Sequence, residues 1–139
     1  MARAGLELGI PEVSVVGLGL DLVDVDRVVQ LLDRHGDRAL QRLLTPRERD
    51  YCMFQAVPAR HIAARIAAKE AAYKAFAQAG TERVVWWLDT EVVRGANGLP
   101  SLSFHDRARK SVEELGISRS LVSLTHSDAS AAAVVLLFR

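Results

Sequence analysis

The chain has 139 residues, 50% hydrophobic and 25% charged, with a formal net charge of +1. That length suits one domain with a sizeable core, and so balanced a charge excludes binding to nucleic acid through bulk positive potential. No apolar run reaches membrane-spanning length, and the opening MARAGLELGIPEV lacks a signal-peptide core, so a cytoplasmic protein with no membrane partner is expected. The single cysteine, Cys52, has no second thiol to pair with and is expected to be a core residue.

In chain order, Ser14 to Leu22 is expected to form a buried strand, interrupted by Gly17 and Gly19 and then by Asp21. Val25 to His35 follows as a helix, with Asp24 at its N-cap, Val28, Leu31 and Leu32 as apolar contacts, and Gly36 as its stop. Thr45-Pro46-Arg47-Glu48 is a capping box with proline at the first helical position, predicting a short helix that ends before Pro58. Ala59 to Gly80 is alanine-rich, has no internal glycine or proline, and ends on a glycine suited to a C-terminal cap.

VVWWLDTEVVRG and PSLSF flank Asn97-Gly98, a hairpin signal. Asp106 to Leu115 reads as a helix ending at Gly116, and SLVSLTH and SAAAVVLLF read as two strands around Ser127-Asp128-Ala129. The whole is an α+β chain with antiparallel pairing and no internal repeat.

Gly17-x-Gly19 after a strand suggests a dinucleotide site, but Leu22 stands where the third glycine is required, which excludes that reading. The glycines instead fit close approach of another backbone or a ligand. Asp21, following an apolar strand, needs a partner, since an unpaired buried carboxylate is strongly disfavoured. On the long helix, Ile62, Ile66, Tyr73 and Phe76 form one stripe at about 100° per residue, with Glu70 and Lys74 beside it near Ala63, Ala67 and Ala77. Glu70 and Lys74 can be an exposed i,i+4 pair. Alternatively, Asp21 and Glu70 can share a divalent cation such as Mg²⁺, which takes one or two carboxylates and completes its shell with water and phosphate oxygens, with Lys74 nearby.

His126 ends a strand in VSLTHSD, with no zinc-like ligand spacing around it and no G-x-S-x-G elbow in the chain. Arg27, Leu31 and Arg34 lie in one sector of the first helix, joined by Arg38 if the helix continues past Gly36. This stripe is either a solvated face, its charge partly offset by Asp33 and Asp37, or a surface for an acidic helix.

Together, GLGLDLVDVDR, ARIAAKEAAYKAF and VSLTHS, in this order in so short a chain, resemble the small holo-acyl-carrier-protein synthases, the short class of phosphopantetheinyl transferases. The resemblance runs from about Ser14 to Phe138; residues 1–13 form an extension before it, and residues 14–139 are expected to be a single transferase domain. It implies the phosphopantetheinyl transferase fold, an antiparallel sheet packed with one long helix and shorter ones, assembled as a homotrimer with sites between subunits. It also implies transfer of 4′-phosphopantetheine from coenzyme A to a serine of apo acyl carrier protein, with Mg²⁺ as cofactor.

By the family motifs, Asp21 and Glu70 would hold the metal, Lys74 would serve the departing phosphate, and Arg65 and His126 would hold coenzyme A through its phosphates. Water and Glu70 remain alternative bases for the serine proton. A related transferase for a polyketide or peptide synthase carrier would carry the same motifs, and a non-catalytic coenzyme A or carrier-binding module would share the fold. The sequence departs from the family at Ala77-Gln78-Ala79-Gly80, where a Gly-Thr-Gly turn is usual.

Overall fold

The structure is a computed structural model and describes residues 13–82 and 86–139. Residues 1–12 of the expected extension, and Val84 and Val85 of the expected strand, lie outside the described residues. Strand β1 (Val15–Asp24) leads into helix α1 (Val25–His35), followed by α2 (Asp37–Leu43), α3 (Pro46–Met53) and the long α4 (Pro58–Ala79). A hairpin of β2 (Thr90–Arg94) and β3 (Pro100–Phe104) precedes α5 (Asp106–Glu114), and β4 (Arg119–His126) and β5 (Ser130–Phe138) close the fold.

The strands form two antiparallel sheets. One is three-stranded in the order β1-β5-β4, and the other is the β2-β3 pair. The local signals behave as the sequence suggests at several points. Thr45 Oγ1 accepts from Glu48 N at 3.3 Å and Glu48 Oε1 accepts from Thr45 N at 2.9 Å, completing the capping box. Gly80 takes the left-handed conformation, with φ of 118°, and ends α4. Asn97 Oδ1 accepts from Leu99 N in the hairpin turn.

The structure refines four local expectations. Asp24 occupies the N-cap position of α1 but makes no side-chain capping bond; Val25 N instead donates to Ala129 O at 2.9 Å, so the β4-β5 turn supplies the acceptor. Gly36, with φ of 53°, ends α1 and starts a separate helix, so Arg38 lies on α2 and does not extend the α1 stripe. Trp87 to Asp89 form a turn, and β2 begins only at Thr90. Finally, α4 is not a one-sided amphipathic helix: every residue from Ile62 to Lys69 is buried, whereas Tyr73, expected on the apolar stripe, is only half-buried. A helix covered all round is a core element, and its alanines let neighbouring elements approach closely.

The closest approach is made by β1. Its inward residues are Gly17, Gly19, Asp21 and Val23, alternating with outward Leu18, Leu20 and Leu22. A Cβ on Gly17 would lie 2.2 Å from Ala75 O, and one on Gly19 only 1.7 Å from Ala71 O. The two glycines therefore let the strand lie against the backbone of α4, and Asp21 is the next inward position along the same strand. Ala68, Ala71, Ala75 and Phe76 of α4 pack in one core cluster with Ala133, Val135 and Leu137 of β5. A second cluster joins Val28, Leu40, Leu44, Cys52 and Ile62. Cys52 is fully buried there, and burial pushes its thiol up to about 11, which keeps it protonated and inert.

The outer face of the three-stranded sheet is apolar and uncovered. Register places Leu18, Leu136 and Leu121 in one row across the strands, and Leu20 beside Val134 in the next. Leu20 and Leu22 are 65% and 67% exposed.

Candidate active site

Asp21 reaches the site because strand alternation turns it inward, and the glycines before it hold β1 close to α4. Its carboxylate meets Lys74: Nζ lies 3.0 Å from Asp21 Oδ1 and donates to Leu20 O at 2.8 Å. The i,i+4 pair between Glu70 and Lys74 is not among the ion pairs of the described residues, so Lys74 crosses to the strand instead. Burial, reinforced by the Asp21 carboxylate, pushes the Glu70 carboxyl above its ordinary range, while Lys74 and Arg27 pull it down. Asp21 and Glu70 are thus two acids from separate elements that feel one another electrostatically.

Among the described residues no three metal-ligating side chains cluster. The donor set is this carboxylate pair, which suits a hard divalent cation whose remaining positions go to water and phosphate oxygens. Gln78 stands in the stretch that departs from the family pattern. Its Oε1 accepts from Leu18 N at 2.8 Å, so α4 continues to Ala79 and ties its last turn to β1.

Arg65 and His126 fall in a different place. They line a pocket of about 290 Å³ with His61 and Arg94, while Lys74 borders another cavity with Tyr73 and Gln78. His126 ends β4 and Asp21 lies on β1, on opposite sides of the central β5. A single chain therefore does not unite the two halves of the expected site. The Arg65 guanidinium lies over Tyr51, 4.3 Å from the ring centroid, and the His126 ring is 5.1 Å from that of His61.

On α1, Arg27 and Arg34 are exposed and Leu31 is half-buried. Leu31 borders a groove of about 500 Å³ with His35, Arg38 and Arg42, so α2 adds basic residues beside the expected carrier surface. Arg27 also helps lower the Glu70 carboxyl, the smallest of the influences on it.

Sequence reasoning missed a buried ion pair. Lys69 Nζ lies 2.7 Å from Glu48 Oε1, both side chains fully buried, and also donates to Trp87 O. Glu48 Oε2 accepts from Val92 N at 3.1 Å. This network fastens α3, α4 and the β2-β3 sheet together, and removing one partner of such a pair costs about 3–5 kcal/mol. The signal was a lysine on the most apolar part of α4 and a capping glutamate with an oxygen to spare. Arg94 and His61 were also missed, since neither belongs to a recognisable local pattern.

Two acids with a lysine lie at one edge of the three-stranded sheet, and an arginine-histidine pocket lies at the other. The sequence matches the 4′-phosphopantetheinyl transferase superfamily over residues 17–135. The chain belongs to this superfamily. It is 41% identical over 125 residues to a holo-[acyl-carrier-protein] synthase of Geobacter sulfurreducens, covering 90% of this chain and 98% of the relative. A protein of the same name from Koribacter versatilis is 42% identical over 123 residues, covering 88% and 98%. The crystal structure of holo-[acyl-carrier-protein] synthase from Neisseria meningitidis superposes with a TM-score of 0.80 at 29% identity, covering 89% of this chain and 98% of that one. The Helicobacter pylori synthase in complex with coenzyme A gives a TM-score of 0.74 at 25% identity, covering 86% and 98%.

Proposed function

We propose that this chain catalyses the holo-[acyl-carrier-protein] synthase reaction: transfer of 4′-phosphopantetheine from coenzyme A to a serine hydroxyl of apo acyl carrier protein, releasing adenosine 3′,5′-bisphosphate. The observation that carries this reading is the bond of Lys74 on α4 to Asp21 on β1, with the Asp21 carboxylate also helping to raise the Glu70 carboxyl one helical turn from Lys74. Names shared by the relatives and the coenzyme A complex of the Helicobacter pylori structure support the same substrates.

Asp21 and Glu70 would hold Mg²⁺, which when bound supplies positive charge to pyrophosphate oxygens. Lys74 adds a mobile cation beside them, suited to the phosphate that leaves. Arg65 and His126 hold a phosphate of coenzyme A. No protein nucleophile is required, because phosphoryl-type transfer is served mainly by positioning and charge stabilisation.

The active unit is a homotrimer in this reading. The uncovered apolar face of the three-stranded sheet favours burial against another copy. Association also supplies what a single chain lacks, since the acid-lysine group and the arginine-histidine pocket lie at opposite edges of the sheet. The carrier docks on Arg27, Leu31 and Arg34, where basic residues flank an apolar contact and face the acidic surface of the carrier. Among the described residues no helix is long and apolar enough to cross a membrane; a cytoplasmic location is part of the same proposal.

The test is incubation with coenzyme A, Mg²⁺ and a panel of apo carriers, followed by intact mass. Addition of one phosphopantetheine to the fatty-acid carrier is expected. Modification confined to a polyketide or peptide synthase carrier would overturn the carrier assignment, and no modification of any carrier would leave a binding module.

A further inference from the structure

This inference rests on the reading that Arg65 and His126 hold a phosphate of coenzyme A, and it concerns two neighbours that the family motifs leave unassigned. Four side chains from three elements converge on the pocket. His61 and Arg65 come from α4, Arg94 is the last residue of β2, and His126 is the last of β4. None of the residues lining it is an acid.

Both arginines lie near one aromatic ring. Tyr51 of α3 has the Arg65 guanidinium 4.3 Å and the Arg94 guanidinium 5.3 Å from its centroid. Neither arginine has a carboxylate within 4.0 Å among the described residues; nearby acids are engaged elsewhere, Asp128 with Arg60 at 2.7 Å and Glu48 with Lys69. Arg65 is 3% exposed, and its buried Nε has no hydrogen-bond partner. Its Nη1 donates to His61 O at 3.4 Å, and Glu48, which lines a neighbouring cavity with Arg65 and Arg94, is already paired with Lys69. A buried cation whose neighbouring acid is so engaged is unfavourable unless an anion completes the site.

We propose that His61 and Arg94 are phosphate-binding residues of this pocket, Arg94 as a second fixed cation and His61 as a group that gains a proton as the phosphate enters. The surroundings of His61 explain the second role. It faces His126 on β4, Tyr51 on α3, Arg60 and Arg65 on its own helix, and Arg94 on β2, and no acid among them. Burial first, then His126 and the three arginines, push its imidazole below the ordinary range, so these surroundings favour the neutral ring at neutral pH. A phosphate dianion reverses the local field and favours imidazolium, with the proton drawn from solvent. Arg94, carried on the second sheet, makes the pocket depend on how β2 is seated against α4.

Isothermal titration of the intact protein with coenzyme A, at fixed Mg²⁺ and in buffers of different ionisation enthalpy, counts the protons taken up. The wild type is expected to take up protons and to bind more weakly as pH rises from about 6 to 8. Arg94→Ala should weaken binding about tenfold or more. His61→Phe and His61→Gln should abolish most of the uptake and flatten the pH dependence, whereas His126→Asn should retain an uptake. Thermal melts confirm that each variant is folded, with Arg94→Gln as the milder replacement. Repeating the titration with 3′-dephospho-coenzyme A separates the two phosphate sources: loss of proton uptake supports the 3′-phosphate as occupant, and persistence supports the pyrophosphate. If Arg65→Ala binds coenzyme A like the wild type, the underlying reading fails. If Arg65→Ala binds weakly while Arg94→Ala, His61→Phe and His61→Gln behave like the wild type, only this inference is overturned.

Discussion

Lys74 Nζ sits 3.0 Å from Asp21 Oδ1, bridging α4 and β1 instead of pairing along its own helix with Glu70. The relationship has two sides. In the proposed reaction it holds a cation where phosphate charge would accumulate, and it makes Lys74 a competitor for an oxygen proposed to bind metal.

Lys74→Ala should therefore lower kcat by about a hundredfold, as loss of one well-placed electrostatic donor does. In the absence of coenzyme A, Mg²⁺ should bind the variant no more weakly than the wild type. Asp21→Asn and Glu70→Gln should instead lose metal affinity and turnover together. Metal titration alongside steady-state kinetics separates these patterns. Wild-type activity of either acid variant at limiting Mg²⁺ would remove the proposed metal site.

Gly19→Ala tests the contact that brings Asp21 to α4. The added methyl would lie 1.7 Å from Ala71 O, a backbone atom of a buried helix that cannot swing aside. The variant should lose about 3 kcal/mol or more, at the upper end of overpacking costs. Urea denaturation measures it, and a change below about 0.5 kcal/mol, the range of ordinary surface substitutions, would mean that strand and helix are not so closely apposed.

Leu20→Asp places a carboxylate on the apolar outer face of the sheet, at a position 65% exposed in the single chain. Chain folding should survive, because the side chain points away from the core. Assembly of the proposed trimer and transfer should both be lost, read by sedimentation and by intact mass of the carrier. A monomer with full activity would show that the uncovered face is not where copies meet.

Arg34→Glu should raise the KM for the carrier about tenfold at low ionic strength, with coenzyme A kinetics unchanged, and added salt should weaken the wild type in the same direction. Arg27→Glu should act on both substrates. Its field reaches Glu70, so reversing it also pushes the Glu70 carboxyl further up and disfavours metal. If neither reversal changes carrier kinetics at low salt, the stripe is a solvated face.

What the sequence determined by itself is local. The capping box at Thr45 and Glu48, the glycine stops at Gly36 and Gly80 and the Asn97-Gly98 turn depend on residues a few positions apart, so their physics is written in adjacent letters. The period of two that sets Gly17, Gly19 and Asp21 on one face is equally local, and it made close approach an expectation before any partner was known. Tertiary structure decided what lay across the approach. Lys74 chose a partner 53 positions away over one four residues away because the glycines bring β1 within reach. Lys69 and Glu48 paired across 21 positions in a fully buried setting, and Arg94 met Arg65 over Tyr51 only because the second sheet packs against α4. Such pairings follow from which surfaces the core buries together, and no short window of sequence contains both surfaces.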